Sequence, residues 1–301
     1  MNVYNYGSIN IDHIYRVTDF VSPGETLASK HYQRMLGGKG ANQSIALAKA
    51  GIKVKHIGSI NSDDAWVKDS LVNKGISTEY IQQLQAPTGH AIIQVSDAGE
   101  NAIILHGGAN HAHSLTDLEL ILSNAKKGDV ILLQNECNLT DSVLSLSKEK
   151  GLTVVFNPAP MTDEVSTYAL TNVDYLIVNE TEAEALLNDP AFNQTQAHAL
   201  IDQLHHLYPE QKIIMTLGAD GVLYKDKQHT FTIAAEKVEV VDTTAAGDTF
   251  IGYFIQQIIT DKSIETALKV ANKASSITVQ TLGASESIPD MSTIQSLGLT
   301  R

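Results

Sequence analysis

DVILLQ at residues 129–134, DSVLSLSKEK at 141–150 and LTVVF at 152–156 form the part of the sequence that decides the fold. The first and third segments are short apolar runs, which are typical of strands buried on both faces of a sheet. The second has the mixed polar and apolar residues of a surface helix, and Gly151 ends it. β-Branched runs that alternate with helices predict a mostly parallel sheet.

The same alternation continues on both sides of this stretch. A strand at 54–58 precedes a helix at 63–74, and a strand at 175–178 precedes a helix that begins near Glu180. A further strand at 213–217 ends in a glycine-rich turn. The predicted fold class is therefore α/β, with a mostly parallel central sheet that is covered by helices on both faces.

Two segments interrupt this alternation. Residues 11–36 alternate polar and apolar positions without a helix signal, and residues 88–106 predict a hairpin whose turn is DAGE at 97–100. Together the two segments could form a small separate sheet. The alternative is that they are edge strands of the main sheet.

The composition is ordinary for a soluble globular protein. The chain has 301 residues, of which 43% are hydrophobic and 18% are charged, and its net charge is −13. An acidic chain has no general attraction to nucleic acid or to an anionic membrane. Cys137 is the only cysteine, so no disulfide within the chain and no cysteine-based zinc site can form. The N-terminus has no signal-peptide pattern and no apolar run nears the ~20 residues of a spanning helix. We expect a cytoplasmic protein that binds neither nucleic acid nor membranes.

Residues 240–250 (VVDTTAAGDTF) predict an anion site beside a carboxylate. A strand would end at Asp242 and a helix would begin near Ala245, where unpaired amides and the helix dipole attract anions. Asp248, in the first turn of that helix, could accept a proton from a substrate hydroxyl while the amides hold a phosphoryl group. The alternative is that Asp242 or Asp248 only caps the helix.

Two further motifs suit a polyhydroxylated ligand. GGKGANQ at 37–43 has three glycines before a helix, and Lys39 and Asn42 could bond a sugar, although such glycine patterns are also common in turns. Asn10 and Asp12 lie two residues apart, so an extended chain directs both side chains to the same face. An amide and a carboxylate there suit vicinal hydroxyls, and the alternative is a turn.

Taken together, the motifs resemble the PfkB (ribokinase-like) family of carbohydrate kinases. The resemblance runs in order along nearly the whole chain, and GGKG and AAGD are its family-marking segments. The segments that carry it are GSINID at 7–12, PGET at 23–26, GGKGANQ at 37–43, NPAP at 157–160, NETEAE at 179–184 and DTTAAGD at 242–248.

The resemblance implies an ATP-dependent kinase with a three-layer α/β/α domain and a small β-sheet lid over the sugar. The kinase domain would comprise residues 1–10, 37–87 and 107–301, and the lid would comprise 11–36 and 88–106. In this family two lids clasp to form a homodimer. We therefore expect a sugar and ATP as small-molecule partners, and a second copy of the chain bound through the lid.

The resemblance also implies a role for each matching residue. Asp248 would be the catalytic base, and Ala245, Ala246 and Gly247 would form the anion hole. The implied substrate-binding residues are Asn10, Ile11, Asp12, Gly38, Lys39, Gly40, Ala41, Asn42, Glu136 and Asp248. The implied ATP-binding residues are Asn179, Thr216, Leu217, Gly218, Ala219, Asp220, Gly221, Gly247, Asp248 and Asn272.

Two cations belong to the same implied site. Glu182 would help to organise Mg²⁺ and phosphate through water. A monovalent cation, normally K⁺, would lie beside the anion hole, at the positions Asp242, Thr244, Thr278, Thr281, Gly283 and Ser287.

D-Ribose is the expected substrate, with D-ribose 5-phosphate as the product. Asp12 is the residue best placed to read adjacent ring hydroxyls, so its presence favours ribose over 2-deoxyribose. Three alternatives remain: a related kinase for another sugar or a nucleoside, such as 2-deoxyribose or fructose; a non-catalytic sugar sensor; and a scaffold. Asp248 and the small residues beside it argue against a sensor, which has no need of a base.

Several histidines have no clear partner in the sequence. His90, His111 and His113 are interpreted as residues of the lid edge or the surface, and the alternative is a role in sugar specificity or in a pH-sensitive lid. His205 is expected to be exposed on a polar helix. Cys137 is expected to be a structural thiol.

Overall fold

The computed structural model describes residues 1–188 and 196–298, and these residues form two sheets. The strands are β1 (Val3–Tyr6), β2 (Asn10–Arg16), β3 (His31–Gly37), β4 (Val54–Asn61), β5 (Ser77–Leu84), β6 (Gly89–Val95), β7 (Asn101–His106), β8 (Val130–Gln134), β9 (Thr153–Asn157), β10 (Tyr175–Asn179), β11 (Lys212–Thr216), β12 (Val222–Lys225) and β13 (Thr230–Ile233). The helices are α1 (Lys39–Lys49), α2 (Ala65–Asn73), α3 (Leu115–Leu122), α4 (Thr140–Glu149), α5 (Glu180–Leu187), α6 (Ala197–Leu207), α7 (Ala246–Ile259), α8 (Ile264–Thr278) and α9 (Met291–Ser296).

The larger sheet has the order β13-β12-β11-β10-β9-β8-β1-β4-β5. The strands from β11 to β5 pair in parallel, whereas β12 pairs antiparallel with both β11 and β13. One hydrophobic core joins the sheet to α1, α2, α7 and α8, and a second joins its other face to α3, α4, α5 and α6. The α/β prediction, with helices on both faces of a mostly parallel sheet, is confirmed.

The smaller sheet has the order β3-β2-β6-β7, and none of its strands pairs with the larger sheet. β2 pairs in parallel with β6, while the β2–β3 and β6–β7 pairs are antiparallel. The hairpin predicted for 88–106 is β6 and β7. The interpretation of these segments as edge strands of the main sheet is therefore wrong.

The segment before α7 differs from the prediction. Residues 240–242 are not a strand, and Val240 and Val241 are 57% and 55% exposed. The amides of Val241 and Asp242 instead donate to the Val279 carbonyl, at 2.8 and 3.1 Å. A run of β-branched residues cannot distinguish a strand from an extended loop, because both allow the same backbone angles.

Glycines bring the elements of the site into close contact. A Cβ atom on Gly7 would lie 2.6 Å from the Gly40 Cα, so only glycine lets the start of α1 rest on the end of β1. A Cβ atom on Gly252 would lie 2.5 Å from the Ala46 Cβ, so α1 and α7 also pack with almost no space between them. Within the described residues no helix is long and apolar enough to cross a membrane.

Candidate active site

A cleft of about 1010 Å³ lies between the small sheet and the carboxyl ends of the parallel strands. In open α/β sheets this edge is where ligands bind, because the loops and helix N-termini converge there. The structure brings most of the predicted residues to its walls. They are Asn10, Asp12, Gly38, Lys39, Asn42, Glu136, Asn179, Glu182, Thr216, Asp242, Thr244, Ala245, Gly247, Asp248 and Gly283.

Other predicted residues do not line the cleft. Ile11 and Ala41 are buried in the hydrophobic core, and Asn272, on α8, donates a hydrogen bond to the Ala234 carbonyl at 2.8 Å. Thr278 is fully buried behind α7, where its hydroxyl contacts that of Thr249 at 3.0 Å. The remaining residues outside the cleft wall are Gly40, Ala246, Leu217, Gly218, Ala219, Asp220, Gly221, Thr281 and Ser287. Their roles stay predictions.

The N-terminus of α7 is an open cradle for an anion. Ala245 precedes the helix with φ 60°, a left-handed conformation that is strained for a residue other than glycine. A Cβ atom on Gly247 would meet no atom within 4 Å, so the space above the first-turn amides is free. Unpaired amides at a helix start bind phosphate groups well.

Neither aspartate of this motif caps the helix, since α7 has no side-chain cap. One oxygen of Asp242 accepts bonds from the amide and hydroxyl of Thr244, at 2.9 and 2.6 Å, and the other accepts from the Gly283 amide at 3.0 Å. Burial raises the pKa of Asp242, but these bonds outweigh it and hold the pKa below its usual value. The capping alternative is therefore wrong, and Asp242 is a charged group that joins two loops.

Asp248 lies in the first turn of α7 and is 9% exposed. Its Oδ1 accepts a hydrogen bond from the Gln43 Nε2 at 2.9 Å. Burial raises the pKa of Asp248, while the positive charge of Lys39 and hydrogen bonds from Gln43 and Asn42 lower it; burial prevails. A carboxylate with a raised pKa is a better proton acceptor.

The side of the cleft next to the small sheet carries two neighbouring carboxyl groups, Asp12 and Glu136. Burial, with a smaller contribution from Glu136, raises the pKa of Asp12 to about 6. Glu136 accepts hydrogen bonds from the Ser8 hydroxyl and, at 3.0 Å, from the Lys39 amide. The Oδ1 of Asn42 is buried and has no partner among the described residues. An unpaired buried acceptor beside two carboxyl groups suits a ligand that brings hydroxyl donors.

The opposite side of the cleft is formed by the ends of β10 and β11. Asn179 caps α5: its Oδ1 accepts from the Glu182 amide at 2.8 Å, and a Glu182 oxygen accepts from the Asn179 amide at 3.0 Å. This reciprocal capping box holds the Glu182 carboxyl at the cleft wall. Burial raises the pKa of Glu182, although the Asn179 amide and Lys39 partly oppose that effect.

The donor sets fit the two implied cations. Glu182 offers a carboxylate oxygen to the cleft, and oxygen is the ligand that Mg²⁺ prefers. Asp242, Thr244 and Gly283 combine a charged carboxylate with oxygen-bearing neighbours, and no lysine or arginine in the described ranges forms an ion pair with Asp242. Within those ranges, no group of three histidine, cysteine or acidic side chains could hold a metal ion.

Sequence reasoning missed a set of buried amides behind Asp248. Gln43, Gln134 and Asn5 are at most 1% exposed, and Asn157 lines the cleft. Asn110, which is 1% exposed, donates to the Asn10 Oδ1 at 2.8 Å. The available signal was a polar residue inside an apolar strand, such as Asn5 in VYNY or Gln134 at the end of DVILLQ.

The structure agrees with the predicted positions of the histidines only in part. His113 is 7% exposed, with its ring 5.1 Å from that of Tyr6, so the surface interpretation is wrong for this residue. His90 lies on an inner strand of the small sheet and is absent from the cleft wall; its ring is 5.0 Å from that of His106. His205 is only partly exposed, and its helix has a buried apolar face.

Cys137 is buried among hydrophobic side chains, as expected of a structural thiol.

This fold and site define a class of enzyme: an α/β kinase with a buried carboxylate beside a helix N-terminus. The chain belongs to the pfkB family of carbohydrate kinases, whose sequence profile matches residues 2–291, and it is an ATP-dependent sugar kinase. It is 39% identical to the ribokinase of Haemophilus influenzae, over 94% of both chains.

Solved structures agree with this classification. The ribokinase of Cryptococcus neoformans var. grubii, in complex with ADP, has a TM-score of 0.88 and 35% identity, over 98% of this chain and 99% of that one. The Arabidopsis thaliana ribokinase, complexed with ribose and ATP, has a TM-score of 0.86 and 29% identity, over 100% of this chain and 99% of that one.

Proposed function

We propose that the protein transfers the γ-phosphoryl group of ATP to the primary hydroxyl of D-ribose and so forms D-ribose 5-phosphate. One observation carries the proposal: the buried Asp248 carboxylate stands in the first turn of α7, in the same cleft as Asn10 and Asp12. The position of a base next to a helix N-terminus suits phosphoryl transfer to an alcohol. The similarity to ribokinases supports ribose as the alcohol.

Asn10, Asp12 and Asn42 would hold the sugar by its ring hydroxyls. The Asp12 carboxylate would accept hydrogen bonds from two adjacent hydroxyls, and the unpaired Asn42 Oδ1 would accept another. Lys39 and Glu136 complete this side of the cleft, with Gly38 giving the ligand close access to the backbone. A sugar that lacks one of these hydroxyls would leave a buried acceptor unpaired and bind less well.

Asp248 would then act as the base. Its carboxylate takes the proton of the 5-hydroxyl as that oxygen bonds to the γ-phosphorus, and the bond between the γ-phosphorus and the bridging oxygen breaks to release ADP. The small residues from Ala245 to Gly247 would let the transferring group approach the first-turn amides of α7, which would stabilise its charge. Exclusion of water is needed in addition, because water would otherwise accept the phosphoryl group.

The other end of the cleft would bind ATP through Asn179, Thr216 and the turn at 217–221, with Asn272 near the adenine. Glu182 would hold Mg²⁺ through water, and this ion neutralises charge on the phosphates. The loops of Asp242 and Gly283 would hold K⁺, with Thr244, Thr278, Thr281 and Ser287 nearby; that ion adds positive charge beside the anion cradle.

We further propose that residues 11–36 and 88–106 form a lid on a kinase domain of residues 1–10, 37–87 and 107–301. Ile103 and Leu105 line the cleft yet are 56% and 51% exposed, so closure over a bound sugar would bury apolar surface.

On the other face of the small sheet, Tyr32 and Ile104 are 46% and 66% exposed. We propose that this face pairs with a second copy in a homodimer. We also propose that the enzyme works in the cytoplasm, where ATP is plentiful and the single thiol stays reduced.

The test is ADP release from ATP and Mg²⁺ with a panel of sugars: D-ribose, 2-deoxyribose, fructose and nucleosides. The assay is run with K⁺ and with Na⁺, and Asp248→Asn is the control. Turnover that is fastest with D-ribose supports the proposal, and a preference for another sugar would contradict it. Binding of ribose without any ADP release would instead indicate a sensor.

A further inference from the structure

A chain of buried amides runs from the centre of the molecule to the Asp248 carboxylate. The Asn5 Nδ2 donates to the Gly40 carbonyl at 2.7 Å, and the Gln134 Nε2 donates to the Asn5 Oδ1 at 2.9 Å. The same Gln134 Nε2 donates to the Gln43 Oε1 at 2.6 Å. The Gln43 Nε2 then donates to the Asp248 Oδ1 at 2.9 Å. The chain therefore joins β1, β8, α1 and α7 behind the cleft.

The direction of every bond in this chain follows from its first acceptor. The Gly40 carbonyl can only accept, so Asn5 must direct its NH₂ group to it and its oxygen to Gln134. Gln134 must then present its NH₂ group to Asn5, and this group also faces Gln43. Gln43 is left with its oxygen toward Gln134 and its NH₂ group toward Asp248. A flipped Gln43 would place oxygen against carboxylate oxygen and nitrogen against nitrogen.

The orientation of the Gln134 amide leaves its oxygen without a hydrogen bond in the described part of the chain. Its Oε1 is buried and has no partner among the described residues, and a Cβ atom on Gly7 would collide with it. A buried acceptor without a donor is destabilising, and an apolar side chain of similar size would avoid this. What the amide adds to the site is its NH₂ group, which holds the orientation of Gln43.

We propose that Gln43 is the positioning residue of the catalytic base: its amide, whose orientation Gln134 and Asn5 impose, holds Asp248 with Oδ1 engaged and keeps the carboxylate ready to accept the substrate proton. This inference rests on the proposed function. Gln43 is fully buried and does not line the cleft, so it acts through Asp248 and not on the sugar. The charged groups that act on Asp248 are Lys39, which stabilises the carboxylate, and Glu136, which opposes it.

Three substitutions of a buried glutamine by methionine test the proposal. Gln43→Met removes the donor to Asp248, and Gln134→Met removes the group that orients Gln43. Gln257→Met is the matched control, because Gln257 is 2% exposed on the same helix as Asp248, and its Oε1 also lacks a partner in the described ranges. Gln257 takes no part in the amide chain.

The first readout is kinetic. Gln43→Met should lower kcat by about 10- to 100-fold, as a misplaced catalytic group does, while the KM for ribose stays within about threefold. Gln134→Met should lower kcat by a smaller factor, and Gln257→Met should leave it unchanged. A kcat of Gln43→Met within about threefold of the unmodified enzyme would overturn the proposal.

The second readout does not need turnover. The titration of Asp248 is followed by ¹³C NMR of carboxyl-labelled aspartate, and the signal is assigned by its loss in Asp248→Asn. The hydrogen bond from Gln43 favours the charged form, so its removal should raise the midpoint in Gln43→Met and leave it unchanged in Gln257→Met. Equal midpoints in the two variants would refute the role of Gln43. An enzyme that phosphorylates no sugar would refute the proposed function, and the NMR comparison would still decide the role of Gln43.

If Gln43→Met does not fold, the kcat and the Asp248 midpoint of Gln134→Met test the proposal in its place. An unchanged kcat together with an unchanged midpoint in that variant would overturn the proposal, because Gln43 would then be oriented without the amide chain.

Discussion

Asp12→Asn should stabilise the empty protein while it damages the enzyme. The Asp12 carboxyl is largely buried, no donor among the described residues is seen to bond it, and its pKa is raised to about 6 from 3.8. A raised carboxyl pKa means that the folded protein holds its proton more tightly than the unfolded chain. The stability contributed by this group is therefore complete below pH 4 and is lost as the pH rises through about 6.

The size of the effect follows from the shift. About two pKa units at 1.36 kcal/mol each give about 3 kcal/mol as the cost of an ionised Asp12 at pH 8, and about half of that remains at pH 5. The neutral amide of asparagine has nearly the same shape and avoids this cost. The variant should therefore gain up to about 3 kcal/mol of unfolding free energy at pH 8 and up to about 1.5 kcal/mol at pH 5.

The assay is urea unfolding without ligands at the two pH values, with Asp19→Asn as a control for loss of an exposed carboxylate. The control should change the unfolding free energy by less than about 0.5 kcal/mol. In Asp12→Asn, kcat/KM for ribose should fall about 10- to 100-fold, since a charge-assisted hydrogen bond to the sugar is lost. A gain of equal size at pH 5 and pH 8, or no gain at pH 8, would refute the reasoning.

The other predictions concern the reaction itself. Asp248→Asn should lower kcat by about 10²- to 10⁴-fold with an unchanged fold by circular dichroism, and an undiminished rate would contradict its role as the base. Gly247→Ala should fold normally because its Cβ meets open space, but should raise the KM for ATP by crowding the anion cradle; an unchanged KM would show that phosphate lies elsewhere. Glu182→Gln should keep the α5 cap, so the Tm stays close to that of the unmodified enzyme while the Mg²⁺ dependence shifts; a large drop in Tm would contradict this. Finally, the KM for ribose should rise as the pH falls through about 6 and Asp12 becomes protonated, and a flat profile down to pH 5 would exclude Asp12 as an ionised sugar ligand.

The fold and the first contacts of the site were predictable because local patterns encode them. Apolar runs that alternate with helices predict β8, α4 and β9, and Asn10 and Asp12 share a face simply because strand side chains alternate.

The features that the sequence did not predict depend on tertiary contacts. Val240 and Val241 have strand propensity, yet the amides of Val241 and Asp242 donate to the Val279 carbonyl at the end of α8. His113 is polar in sequence but packs against Tyr6. The amide chain behind Asp248 joins residues that are 91, 129 and 205 positions apart in sequence, so no motif contains it.

The contact of α1 with α7 at Gly252 and Ala46 has a consequence for how such an enzyme diversifies. α1 carries Lys39 and Asn42, which we propose to bind the sugar, and α7 carries Asp248, the proposed base. The two helices meet at Gly252 and Ala46 with almost no space between them. A larger residue at the contact between α1 and α7 would therefore change the distance between the cleft residues of the two helices. Substitutions in β6 and β7 would leave that distance unchanged. Selection for a new substrate would act first on the small sheet, and the machinery of phosphoryl transfer would pass unchanged to the descendants.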